Sequence, residues 1–268
     1  MSENLYRVVS EIEKKRILSE LAKGKRIDGR TLEDYREIAI ETDVVKKAEG
    51  SARVTLGKTQ VVAGVKIDMG TPYLDTPNSG VVTVNAELTP LASPMFEFGP
   101  PDEDTIEVAR VVDRGIRHAE VVDKDELCII PGEKVWIVFI DVYALDYDGN
   151  LFDASSLAAV SALLTAKMPK VKVDGDKVTV LEEVKPLPIK NQVVSVTMAR
   201  INESFAVDPI LKEELVMNGR ITIAVDKDKH VTAIQKGGTG PLPYEDVANA
   251  FEIAVKKAKG LLDKLPKG

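Results

Sequence analysis

Three arginines carry the clearest chemical potential in this sequence. Arg110, Arg114 and Arg117 stand at i, i+4 and i+7 within DTIEVARVVDRGIRHAE. At ~100° per residue, helical spacing gathers them within a sector of roughly 60°. Val108, Val111, Val112, Gly115, Ile116 and Ala119 then fall on the opposite face. The predicted helix buries its apolar side and presents a row of guanidinium groups. Asp102, Glu103 and Asp104 favour its N-terminal dipole, and Pro100 and Pro101 stop anything helical before it. Two uses of the row are open. Glu107 and Asp113, at its edges, could neutralise part of it by ion pairing. Alternatively, the planar guanidinium forks suit phosphate.

Other candidates read as less specific. Asp208, Glu213 and Glu214 lie close together in VDPILKEELVMNGR, and grouped acids can move protons or hold a metal. Without the spacing of a calcium loop, they read as a solvated charged turn between two strands. QKGGTGPLP (235–243) lacks the Lys-Ser/Thr ending of a phosphate-binding loop, so it reads as a strand-to-helix connection. Ser155 and Ser156 have no base nearby in sequence. Ser155 is expected to help start a helix capped by Asp153. His118 and His230 read as surface residues, and with Cys128 alone they predict neither a disulfide nor a zinc site.

The elements that must position these residues are those of a mid-sized globular chain. It has 268 residues, 44% of them apolar, and a net charge of −7. That acidity excludes binding to nucleic acid by general charge, so any such contact needs a local patch. No apolar run is long enough for a membrane span, no signal-peptide core is seen, and a cytoplasmic setting is expected. Residues 5–23 predict an amphipathic helix ended by Gly24, followed by a polar lead-in. IAIETDVV, then SARVTLG and QVVAGVKID hinged at Gly57–Lys58, then GVVTVNAELTP, read as strands before the arginine helix. KVWIVFIDVYAL (134–145), apolar at nearly every position, predicts a central strand covered on both faces. A helix over 153–167 and a hairpin at Asp174–Gly175 follow. After PLPIKN (186–191) come further strands and a last helix over 243–264. The fold class is α+β: two related modules plus an N-terminal helix. The expected division is 1–29 lead-in, 30–168 first module, 169–188 hairpin and connector, and 189–268 second module.

Taken together, GRTLEDYREI, GSARVTLGKTQVVAGVKID, VNAELTPLASPMF, the arginine helix, DYDGNLFDASSLAAVSALL and GRITIAVD resemble the RNase PH family of phosphorolytic exoribonucleases. The likeness spans about residues 25–262. It is nearest to the non-catalytic RNase PH-like ring subunits of the archaeal exosome. The resemblance implies a ring alternating with a catalytic RNase PH-like sister subunit, three of each. It also implies RNA-binding cap subunits and single-stranded RNA as partners.

The same resemblance implies RNA binding by Arg110, Arg114 and Arg117, with no catalytic residue, metal or cofactor in this chain. Active members carry a Gly-Thr-Arg-type phosphate turn; the matching positions here are Asn150, Leu151 and Phe152, followed by Asp153. Phe152 offers no donor there, and Asp153 is expected to repel phosphate by on the order of 4 kcal/mol per unit charge at ~4 Å. Active members also carry two acids about six residues apart, and the match places Glu214 at the first and Arg220 at the second. A phosphate-dependent 3′-to-5′ exoribonuclease with an unusual pocket, a purely structural ring subunit and a stand-alone RNA-binding module are the alternatives.

Overall fold

The computed structural model describes residues 9–175 and 177–267. The helix α1 (Glu11–Leu21) begins where the Ser10 hydroxyl accepts from Glu13 N at 3.2 Å. Residues 9 and 10 lie outside the helix, and 5–8 of the expected span lie outside the described residues. The amphipathic pattern of this helix does not say which surface its apolar side meets. Its own chain provides the surface, since Ile17 and Leu21 bury against Ala199 and Ile201.

Strands β1 (Ile38–Thr42), β2 (Gly50–Leu56), β3 (Thr59–Gly70) and β4 (Val81–Glu87) precede α2 (Glu103–His118). The short β5 (Cys128–Ile130) then leads into β6 (Lys134–Asp146). These strands form one sheet in the order β1-β2-β3-β6-β4, with β5 paired to β6. Only β4 runs parallel to β6. The β2–β3 hairpin turns at Gly57, whose φ of +61° is the left-handed conformation that glycine tolerates.

β6 is central, as its composition predicts, but the described residues do not cover both of its faces. Val138 and Ile140 are buried on the helix side, while Ile137 and Phe139 on the other face are only half-buried and Tyr143 is exposed. Both helices of this module pack on one side, which leaves the other open.

Helix α3 (Leu151–Thr165) is buried at every position from Leu151 to Leu163. It lies between β2, β3 and β6 on one side and the second sheet on the other. Its alanines and serines permit that close approach: a Cβ on Gly50 would lie 2.3 Å from the Ala162 carbonyl oxygen. Its cap is Asn150, whose side chain accepts from Asp153 N at 3.3 Å, rather than the expected Asp153. Asn150 adopts φ +56° there, and Asp153 sits inside the first turn.

A two-stranded ribbon, β7 (Lys167–Asp174) and β8 (Lys177–Pro186), leads on to β9 (Val193–Ile201) and β10 (Ser204–Val207). The short α4 (Leu211–Glu214), β11 (Gly219–Asp226), β12 (Val231–Gly237) and α5 (Tyr244–Leu262) complete the chain. The second sheet is antiparallel throughout, ordered β10-β9-β11-β12. α2 and α3 lie between the two sheets, and α5 covers β9 and β11 from outside. No helix among the described residues is long and apolar enough to cross a membrane.

Candidate functional site

Asp102 starts α2 by accepting from Thr105 N at 2.8 Å and Thr105 Oγ1 at 2.5 Å. The predicted apolar positions Val108, Val111, Val112, Gly115 and Ile116 are all buried. Arg110 and Arg117 are exposed and Arg114 is half-buried. Their engagements differ. Arg117 pairs with Asp113 one turn earlier, which raises the arginine's pKa. Arg114 donates to the side-chain oxygen of Gln235 on β12. Arg110 forms no hydrogen bond or ion pair among the described residues.

Glu107 departs from its expected role at the edge of the stripe. Its Oε1 lies 2.7 Å from Arg220 Nη2 and accepts from Gln235 Nε2 at 3.4 Å. The pairing arises because β11 and β12 place Arg220 opposite Gly237 and Thr222 opposite Gln235, with one face of this strand pair turned to α2.

Arg220 is only 8% exposed, and its guanidinium carbon stands 3.9 Å from the centroid of the Phe152 ring. This is a cation–π geometry, worth more where water is excluded. Phe152 is itself buried. The two positions where active relatives are expected to hold phosphate and an acid therefore lie in contact, filled by a ring and a cation.

Glu214, at the other acid position, accepts from the Tyr147 hydroxyl at 2.5 Å and from Asn150 N at 2.9 Å. Burial raises its pKa against those bonds and raises that of Tyr147 well above the phenol range. The surrounding cavity, of about 200 Å³, is walled by Leu88, Met95, Phe96 and Met217 and carries Asp104, Glu107 and Glu214 against one cation among the described residues, Arg220. Excess carboxylate and apolar wall oppose an anion. A metal ion between residues 214 and 220 does not fit either, because Arg220 brings a fixed positive charge to the place of a ligand.

The acids read as a solvated turn are instead buried. Asp208 and Glu213 are both fully inaccessible. Arg26 binds Glu213 with both groups wholly out of water, and also donates to the carbonyls of Val207 at 2.6 Å and Asp208 at 2.8 Å. Arg36 meets Asp208 at 2.7 Å and Arg30 meets it at 2.9 Å. Burial opposes the Asp208 charge, yet Arg36 outweighs it and holds the carboxyl below its ordinary value. Arg36 also reaches the carbonyls of Asp148 and Gly149, so this residue of the first module joins its own module to Asp208 of the second.

Asp153 likewise belongs to the interior rather than to a phosphate turn. It accepts from the Tyr35 hydroxyl at 2.8 Å, Asn150 Nδ2 at 2.9 Å, Thr197 N at 3.0 Å and Thr197 Oγ1 at 2.7 Å. Burial raises its pKa to about 6 despite these donors. The expected repulsion of phosphate by Asp153 is thus replaced by a hydrogen-bonded link between modules. Ser155 is buried, and Ser156 meets Ser195 Oγ at 3.2 Å.

Sequence reasoning did not single out Tyr35, Arg36, Arg26 or Gln235. GRTLEDYREI contains Tyr35 and Arg36, which was a signal; nothing local marked the others. His118 and His230 are exposed, as expected. Asp226, Asp228 and His230 cluster at the β11–β12 turn, where Asp226 accepts from the backbone nitrogens of Asp228 and His230.

Residues 34–169 match the model of domain 1 of the 3′ exoribonuclease family, RNase PH, and residues 191–257 match its domain 2. The exosome complex component Rrp42 of Thermococcus onnurineus is 50% identical over 260 residues, 96% of either chain. A chain of the Archaeoglobus fulgidus exosome, solved with RNA bound to the active site, gives a TM-score of 0.89 at 47% identity, covering 96% of this chain and 98% of that one. A chain of an archaeal exosome core gives 0.86 at 44% identity, with 99% of each covered. The chain belongs to the RNase PH family of 3′ exoribonucleases.

Proposed function

We propose that this chain is a non-catalytic ring subunit of an archaeal exosome, the 3′-to-5′ RNA-degrading assembly. It holds single-stranded RNA through Arg110, Arg114 and Arg117 and helps to form the active site of a catalytic RNase PH-like neighbour. The two alternate, three of each, and RNA-binding cap subunits complete the assembly. Half of its residues are shared with a named exosome component along almost the whole length, which supports the ring role.

One observation carries the loss of catalysis. Arg220 stacks on Phe152 and pairs with Glu107, so the pocket lacks both a phosphate donor at 152 and an acid at 220. Substrate phosphate would meet apolar wall and excess carboxylate. The arginine row remains on the surface beside it. Backbone contacts of this kind carry little sequence preference.

The test measures phosphate-dependent degradation of single-stranded RNA by this chain alone, by the catalytic subunit alone and by the mixed ring. Activity is expected only where the catalytic subunit is present, and to be strongest in the ring. Robust activity of this chain alone, abolished by Glu214→Gln, would overturn the proposal.

A purely structural role is the second reading, favoured by the intrachain partners of Arg114 and Arg117. Charge reversal at Arg114 separates the two. Salt-sensitive loss of RNA binding with the ring intact supports the grip; loss of assembly supports the structural role.

A further inference from the structure

We propose that Arg220 is a positioning residue for RNA binding: it draws Glu107 away from the arginines of α2 and so leaves Arg110 and Arg114 available to phosphate. The inference rests on the reading that α2 grips RNA. On an isolated helix, Glu107 would pair with Arg110 at i+3, the favourable orientation of acid before base. In this fold its Oε1 turns to Arg220 Nη2 at 2.7 Å instead, and Arg110 is left exposed.

The clamp on Arg220 is built from two sides. The Phe152 ring lies 3.9 Å beneath the guanidinium carbon, and Gly237 backs the other end. A Cβ at 237 would fall 2.5 Å from Nη2 and 2.9 Å from the guanidinium carbon, so a side chain there must push the guanidinium aside. Gln235, two residues earlier on the same strand face, then separates the charges. Its amide nitrogen faces Glu107 at 3.4 Å and its oxygen accepts from Arg114. Arg114 is thereby held by a neutral acceptor that leaves its charge uncancelled. An acid at position 220 would repel Glu107 toward the stripe, so the change that removes a catalytic group also unmasks the RNA-facing one.

The experiment uses the ring assembled with its catalytic subunit and a labelled single-stranded oligoribonucleotide, read by fluorescence anisotropy over a salt series. Arg220→Gln is expected to weaken binding about 5-fold near 0.1 M salt and to flatten the salt slope by ~0.7, the loss of one phosphate contact. Arg220→Gln with Glu107→Gln is expected to return within about twofold of the parent, because no carboxylate remains to cover the stripe. A merely structural role for Arg220 predicts no such rescue. If Arg220→Gln does not assemble, Gly237→Ala keeps the arginine but displaces it and carries the same expectation, including rescue by Glu107→Gln. Parent-like affinity in the assembled variant, or failure of Glu107→Gln to restore it, would overturn the inference. Arg110→Glu distinguishes the levels: unchanged RNA binding there defeats the grip itself, whereas a loss there beside a neutral Arg220→Gln defeats only the role of Arg220.

Discussion

Arg220 lies over the face of Phe152 with its guanidinium carbon 3.9 Å from the ring centroid. Both side chains are buried, and they join β11 of the second sheet to the first turn of α3. Phe152→Ala is expected to destabilise the chain by about 3–5 kcal/mol through the cavity it leaves. Phe152→Leu keeps most of the hydrocarbon and loses mainly the ring face, at about 1–2 kcal/mol. Denaturant titration of the two variants checks the order. Equal losses would overturn this division, because the hydrocarbon that leucine retains would then contribute nothing and the ring face would account for the whole effect.

The buried pair of Arg26 and Glu213 makes a sharper demand. Glu213→Ala strands a guanidinium that is wholly out of water and is expected to cost about 3–5 kcal/mol. Arg26→Met with Glu213→Leu removes both charges and is expected to be far milder than either single change. Thermal melts of the single and double variants give the coupling. Simple additivity would contradict a specific pair.

Asp153 predicts a pH dependence of known sign. Burial raises its pKa from 3.8 to about 6, so the folded state holds the proton more tightly than the unfolded chain. Its contribution is most favourable below pH ~4 and is lost as pH rises through about 6, on the order of 3 kcal/mol in all. The stability difference between the parent and Asp153→Asn is expected to shrink by about that amount between pH 4 and pH 7. A difference flat across this window would refute the raised pKa. Asp208 works in the opposite sense: it supports the fold above its unfolded pKa and loses that support as acid protonates it.

The three arginines are expected to contribute unequally to RNA binding. Arg110 has no intrachain partner among the described residues, whereas Arg117 already answers Asp113. Arg110→Gln should weaken binding about 5-fold near 0.1 M salt, and Arg117→Gln should weaken it less. Asp113→Asn should in turn strengthen binding by releasing Arg117. Anisotropy titrations of the assembled ring decide this; a larger effect at Arg117 than at Arg110 would reject the ranking.

How far the sequence carried the site depends on the separation of the interacting residues. The arginine row follows from a seven-residue window, and α2 forms where the periodicity places it. The hairpin at Gly57 and the cross-over from strand to α5 were equally local. The cap of α3 was misjudged by three residues because Asn150 in the left-handed region competes with Asp153, and both types cap helices well. The carboxylates at 208 and 213 looked solvated because the nearby bases, Lys212 and Arg220, gave no sign of burying them, and in the fold these bases pair with Glu13 and Glu107 instead. The partners of the two carboxylates, Arg26, Arg30 and Arg36, lie more than 170 residues away.

By itself, then, the sequence determined the alternation of strands and helices, the apolar faces and the spacing of Arg110, Arg114 and Arg117, because each depends on backbone periodicity over a few turns or strands. The pair of Arg117 with Asp113 was local too, but only the tertiary structure decided what the other charges meet. It turned Glu107 toward Arg220, set Gln235 between Glu107 and Arg114, and buried Asp153, Asp208 and Glu213 among donors drawn from distant segments. A charge in water has many equivalent partners, but a charge between two packed layers has only the few that the sheets and helices bring within reach. Packing therefore settled which arginine was sequestered and which remained at the surface.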